Sequence, residues 1–127
     1  GKLMQKKLVI VEDRPEIVTL IKASFKGTDF ETYDAANGDD GIALVEKEMP
    51  DLVTLDIMMP GNKSGLDVCS YLKTNPKTAH IKIIMISARS QATDIASIKA
   101  SGADAILPKP FSPAALKKKA LALVDKS

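Results

Sequence analysis

Apolar residues in this chain fall into two kinds of run. Five short segments, residues 7–11, 30–35, 51–55, 82–86 and 104–107, have strand length and β-forming side chains. Those around Val9, Val53 and Ile84 are mainly apolar, as strands covered on both faces must be. The 30–35 segment is mixed and polar, which suits a sheet edge. The last segment runs into Pro108, which has no N–H to give a ladder and also belongs at an edge. Between them apolar residues recur at helical spacing, as in Ile17, Leu20, Ile21 and Phe25, and in Leu116, Ala120, Leu123 and Val124.

Helix starts are marked as well. Asp13-Arg14-Pro15-Glu16 reads as a capping box with proline in the first turn, and Ser112-Pro113 repeats the cap-then-proline signal. Ser64-Gly65-Leu66-Asp67 caps a middle helix, Asn37-Gly38 is turn chemistry before another, and Gly102 is placed to close a fourth. Five β/α units predict an α/β domain, a doubly wound five-stranded parallel sheet with helices on both faces. Polar edges and apolar interior strands fit the order 2-1-3-4-5. With no linker, repeat or low-complexity run, residues 1–127 read as one domain, with 1–5 as a flexible or appended start.

Composition narrows the chemistry. Hydrophobic residues at 45% and charged residues at 27% support a real core, and a net charge of +2 is too balanced to advertise a nucleic-acid or membrane surface. One Cys and one His exclude an internal disulfide and a thiolate or imidazole zinc site, so any metal would be a hard cation on oxygen ligands. The longest fully apolar runs are far short of a membrane span, and no leader opens the chain, which makes cytoplasm the expected compartment. Cys69, beside Val68 and Leu72, fits a helix's inner face. Lys117, Lys118 and Lys119 are consecutive, so they spread around a helix instead of forming a stripe.

In a doubly wound sheet, ligands bind beyond the carboxyl ends of the strands, where strand order reverses. Those ends carry Glu12-Asp13, Asp56, Ser87 and Lys109. Each has an ordinary reading alone: a cap, a surfacing polar residue, a turn hydroxyl, a solvated lysine. Together they describe one site. Crowded carboxylates call for a divalent cation, and Asp13 and Asp56 are placed to ligate Mg²⁺. Lys109 adds a fixed positive charge and Ser87 a hydroxyl, a set that suits a transferring phosphoryl group with Asp56 as nucleophile. No glycine-rich phosphate loop is present, which disfavours bound nucleotide.

Val11-Glu12-Asp13, Leu55-Asp56-Ile57-Met58-Met59-Pro60, Ser87-Ala88 and Lys109-Pro110-Phe111, in this order and spacing, resemble the receiver domain of two-component response regulators over nearly the whole chain. The resemblance, chemotaxis-regulator-like with a flavodoxin-like (βα)5 fold, implies a phosphorylation-dependent signalling switch. A histidine kinase or histidine phosphotransfer protein would donate to Asp56. Mg²⁺ would be organised by Glu12, Asp13, Asp56 and the backbone carbonyl of Met58. Lys109 would pair with the phosphate. Ser87 would move toward it, reshaping the face of the fourth helix, fifth strand and fifth helix for a downstream effector or a homodimer. Gln91, Asp94 and Lys99 fall on the fourth helix as candidate partner residues, and the Lys109–Pro110 bond is expected to be cis. Direct nucleic-acid or membrane binding is not expected. The activity implied is self-phosphorylation and autodephosphorylation only, not turnover of an external substrate.

Three departures from that family stand out. Ile106 replaces the usual aromatic three residues before the lysine. The loop through Gly61-Asn62-Lys63-Ser64-Gly65 is one residue longer than usual. Met58 puts an apolar side chain where water would attack an acyl phosphate, predicting slow self-dephosphorylation. His80 lies before the fourth strand, at the opposite end of the sheet, and is a poor internal donor. Two other readings remain: a receiver-like binding module that is never phosphorylated, and an aspartate-nucleophile phosphatase of the haloacid dehalogenase type. The phosphatase would usually carry an acid where Met58 stands. A stand-alone regulator and a piece of a longer regulator or hybrid kinase both stay open.

Overall fold

The structure is a computed structural model that describes residues 5–88 and 92–125, with only the backbone of 92–94. Strands and helices alternate: β1 (Lys6–Val11), α1 (Pro15–Ser24), β2 (Phe30–Ala35), α2 (Gly38–Glu48), β3 (Leu52–Asp56), α3 (Gly65–Thr74), β4 (Lys82–Ser87), α4 (Ala92–Ala100), β5 (Ala105–Pro108) and α5 (Pro113–Val124). The strands form one parallel sheet in the order β2-β1-β3-β4-β5, as the polar and apolar patterning predicts. Every residue of β3 is buried, whereas edge strand β2 is buried only at Ala35.

Strand alternation sorts side chains into two cores. Val9, Val11, Val53, Leu55, Ile83 and Met85 face Val45 of α2, Val68, Cys69 and Leu72 of α3, and Ile98 of α4. Leu8, Ile10, Leu52, Ile84 and Ile86 face Ile21 of α1, Phe25 just beyond it, and Leu116, Ala120 and Val124 of α5. Each fully buried Leu or Ile contributes roughly 1.5–3 kcal/mol of transfer free energy. Among the described residues, no helix is long and apolar enough to cross a membrane.

Local chemistry explains most helix ends. Ser64 Oγ accepts from the Asp67 amide while the Asp67 carboxylate accepts from the Ser64 amide, completing a capping box. Asn37 Oδ1 accepts from Asp40 N, and Ser112 Oγ from Ala115 N. Gly102, at φ +91°, follows α4 in the left-handed region that glycine enters without strain. The expectation for α1 fails. Its N-cap is Arg14, with no side-chain cap, and Asp13 does not close a box with Glu16. The helix starts one residue too late for that box, at Pro15, and the Glu16 carboxylate that would reach back to Asp13 accepts from the Arg14 guanidinium at 3.1 Å, while the Arg14 amide donates to Glu12 Oε2 at 3.0 Å. Arg14 and Glu16 instead form an exposed ion pair.

One polar group sits badly in this core. Thr54, in the centre of β3 between Ile10 and Ile84, is 1% exposed, and its Oγ1 has no hydrogen-bond partner among the described residues. A buried unsatisfied hydroxyl costs about 1–3 kcal/mol. Thr54→Val, which replaces that hydroxyl with a methyl of similar size, is therefore expected to raise stability by about that amount. Urea unfolding with an unchanged m-value and a higher midpoint is the expected result; an unchanged or lower midpoint contradicts it.

Candidate functional site: an acidic rim at the strand ends

The parallel ladder delivers its chemistry to one rim. Asp56 is the last residue of β3, paired with Ile86, and Ser87 is the last of β4, paired with Pro108. Glu12 directly follows β1 and Lys109 directly follows β5. The Lys109 amide donates to the Ser87 carbonyl at 2.7 Å, and the Lys109–Pro110 bond is cis. Lys109 thus leaves the sheet with its side chain turned over the rim. Its Nζ lies 3.1 Å from Asp56 Oδ2 and 3.6 Å from Glu12 Oε1.

Asp56 and Glu12 are buried and Asp13 is exposed, yet carboxylate oxygens of all three lie within 4.8 Å of one another. Three acids against one ammonium leave the rim short of positive charge. Among the described residues, Glu12 Oε1 has no hydrogen-bond partner, although its atom is buried. Oxygen ligands only, close spacing and an orphaned buried oxygen all suit a hard divalent cation.

Burial pushes the Glu12 carboxyl up from 4.5 to about 7. The Arg14 amide opposes that rise, the Asp56 charge adds to it, and Lys109 opposes it. The residues expected from sequence to share a site therefore do meet: Glu12, Asp13, Asp56 and Lys109, with Ser87 joined through the Lys109 backbone. Ile106 sits two strand pairings below the rim, opposite Met85, half-buried against the α2/α3 core. Met58 is 78% exposed beside Asp56. Gln91 and the side chain of Asp94 lie outside the described residues, whereas Lys99 is exposed near the end of α4.

Two supports were not foreseen from side chains because they are backbone features. The Met58 amide donates to Asp56 Oδ1 at 3.3 Å, giving that carboxylate a second contact beside Lys109. At Gly65, the first residue of α3, an added Cβ would overlap the Asp56 carbonyl oxygen, and the Gly65 amide donates to Ile57 O at 2.9 Å. Glycine therefore lets α3 begin directly against the strand that carries Asp56. The loop before it is pinned to α2 by Lys63 Nζ, 2.7 Å from Asp39 Oδ1.

Comparison with protein families matches residues 8–121 to the response regulator receiver domain. The chain belongs to that family. Receivers of this kind act as signalling switches in two-component systems and are generally not enzymes. This receiver is 34% identical over 109 residues to the phosphate regulon transcriptional regulatory protein PhoB of Rhizobium meliloti, covering 86% of this chain and 48% of that protein. It is 31% identical over 124 residues to the alkaline phosphatase synthesis transcriptional regulatory protein PhoP of Bacillus subtilis, covering 98% and 50%. The chain thus spans about half the length of these curated relatives. The signal receiver domain of a signal transduction histidine kinase from Syntrophus aciditrophicus superposes with a TM-score of 0.88 at 26% identity, over 95% of this chain and 91% of that one.

The raised Glu12 pKa has a stability consequence in the metal-free receiver. Between about 4.5 and 7, folded Glu12 holds a proton that unfolded Glu12 has lost, so stability falls as pH rises through that window. Integrated, the loss is on the order of 3 kcal/mol. In the presence of a chelator, urea unfolding at pH 5 and pH 8 should show this difference for the wild type and a much smaller one for Glu12→Gln. An equal difference in both proteins contradicts the assignment to Glu12.

Proposed function

We propose that this receiver accepts a phosphoryl group on Asp56 from a phosphohistidine of a histidine kinase or histidine phosphotransfer protein, and that the resulting change is read by an output partner. One observation carries the reading: a buried carboxylate at a strand end, 3.1 Å from a lysine ammonium and within 4.8 Å of two further acids. An Asp56 carboxylate oxygen attacks phosphorus, the bond from phosphorus to the donor imidazole nitrogen breaks, and the imidazole, already protonated on its other ring nitrogen, leaves with the bonding pair. The product is an aspartyl phosphate and a neutral donor histidine.

Each neighbour has a task in that step. Lys109 faces the carboxylate before transfer and the phosphoryl oxygens after it, so it neutralises charge in both states. The Met58 amide steadies the Asp56 oxygen that Lys109 does not hold. Glu12, Asp13, Asp56 and the Met58 carbonyl would hold Mg²⁺, which would supply positive charge to the phosphoryl group being transferred. Ser87 is the hydroxyl that follows the phosphate. Because its carbonyl accepts the Lys109 amide, a shift of Ser87 strains the β4–β5 junction and reaches α4, β5 and α5. Ile106 cannot read that shift through an aromatic ring flip, so the output rests on the backbone and the α4 face. We read residues 1–127 as a single receiver domain, which the family match over residues 8–121 supports.

Incubation with Mg²⁺ and acetyl phosphate should add one phosphoryl group to the intact mass, absent in Asp56→Asn and without chelator-free Mg²⁺. No adduct would favour an unphosphorylated binding module, and steady multiple-turnover release from varied phosphate esters would favour an aspartate-nucleophile phosphatase. The exposed Met58 side chain offers no hydrogen bond to orient water at the acyl phosphate. Met58→Asn is therefore expected to shorten the phosphoryl half-life several-fold, measured by the decay of the mass adduct. An unchanged half-life overturns the role given to Met58.

A further inference from the structure

The opposite end of the sheet carries an inverted charge pattern. A cavity of about 140 Å³ opens there, lined by Lys6, Met49, Pro50, Asp51, His80, Lys82 and Val124. Lys6 begins β1 and Lys82 begins β4, and these strands flank β3, which Asp51 immediately precedes. Alternation puts both lysines on one side of the sheet. Lys6 is in phase with Leu8 and Ile10, and Lys82 with Ile84 and Ile86, all of which face α1 and α5. Both lysine side chains therefore leave the sheet on the side of that core and line the cavity beside Val124 at the end of α5.

Most lysines near carboxylates in this protein are paired, as Lys7, Lys22, Lys63, Lys73 and Lys109 are. Lys6, Lys82 and His80 differ. Among the described residues, none of their side chains makes an ion pair or a hydrogen bond. The single acid in the cavity, Asp51, already accepts from the Lys7 amide through Oδ2 at 2.9 Å. Two half-buried lysines and an exposed histidine thus line the cavity with one partly committed, exposed carboxylate. Unpaired cationic side chains that line one cavity favour a counter-anion there.

We propose that this cavity is a binding site for a phosphate dianion, carried on a small phosphomonoester, at the pole opposite Asp56. Lys6 and Lys82 would supply charge and donors, His80 an imidazole N–H, and the Met49, Pro50 and Val124 surface a seat for the ester's apolar group. The volume accommodates a phosphate and part of a small substituent. The proposal is independent of phosphoryl transfer at the acidic rim.

The test is amide NMR of the ¹⁵N-labelled chain with chelator present and ionic strength held constant, titrating inorganic phosphate and phenyl phosphate. Shifts at Lys6, Met49, Asp51, His80 and Lys82 should saturate with dissociation constants of a few millimolar for inorganic phosphate, and several-fold tighter for phenyl phosphate. Lys6→Gln and Lys82→Gln should each weaken binding, the double variant by about tenfold or more, while the control Lys117→Gln should not. The dispersed amide spectrum of each variant reports that it is folded. Non-saturating shifts, an equal response to chloride, or shifts confined to Asp56, Met58 and Lys109 overturn the site. Equal affinity for the two phosphates overturns the role of the apolar wall.

Discussion

The ammonium of Lys109 lies 3.1 Å from Asp56 and 3.6 Å from Glu12, and the rim depends on that contact. Two buried carboxylates at neighbouring strand ends repel each other and have each lost water. One cation cannot neutralise both together with the nearby Asp13. Part of the remaining strain shows in Glu12, which burial makes reluctant to ionise. Part is met by the backbone, through the amides of Arg14 and Met58. The arrangement leaves a defined shortage of positive charge, and a shortage of that kind is what a cation-dependent acceptor site requires.

The fold makes this concentration unavoidable. A parallel sheet buried on both faces admits few polar side chains along its length, so polar chemistry collects at its ends. Thr54 is the exception, and its partnerless hydroxyl shows why exceptions are few. The strands then act as rigid arms. Their pairing fixes Asp56 beside Ile86 and Ser87 beside Pro108, so the carboxylate, the hydroxyl and the lysine are positioned by main-chain hydrogen bonds and not by flexible loops.

Much of this was legible in the chain because it depends on periodicity and on residue type at strand ends. The buried run from Leu52 to Asp56 and the mixed pattern from Phe30 to Ala35 were enough to distinguish centre from edge. The caps at Ser64 and Ser112 were legible because a hydroxyl three residues before an amide has one natural partner. Asp13 misled for the same reason. It had the right spacing, but the helix starts one residue later and the Arg14 guanidinium holds the Glu16 carboxylate that the box needs. The close approach at Gly65 and the Met58 amide contact were not legible, since both depend on where main-chain atoms lie in space. The pairing of Lys63 with Asp39 ties the loop before α3 to α2 and has no local signal either.

Cys69 is fully buried in the α2/α3 core, with its thiol pushed up by burial. It is the chain's one cysteine, so any thiol-directed reagent has a single address, and that address is sealed while α3 stays packed on the sheet. Reaction there counts excursions in which α3 lifts away, not collisions with the native surface. The lone thiol is therefore a built-in clock for opening of the layer that carries Gly65 against Asp56. Its ticking rate would register whether events at the rim tighten or loosen the core beneath.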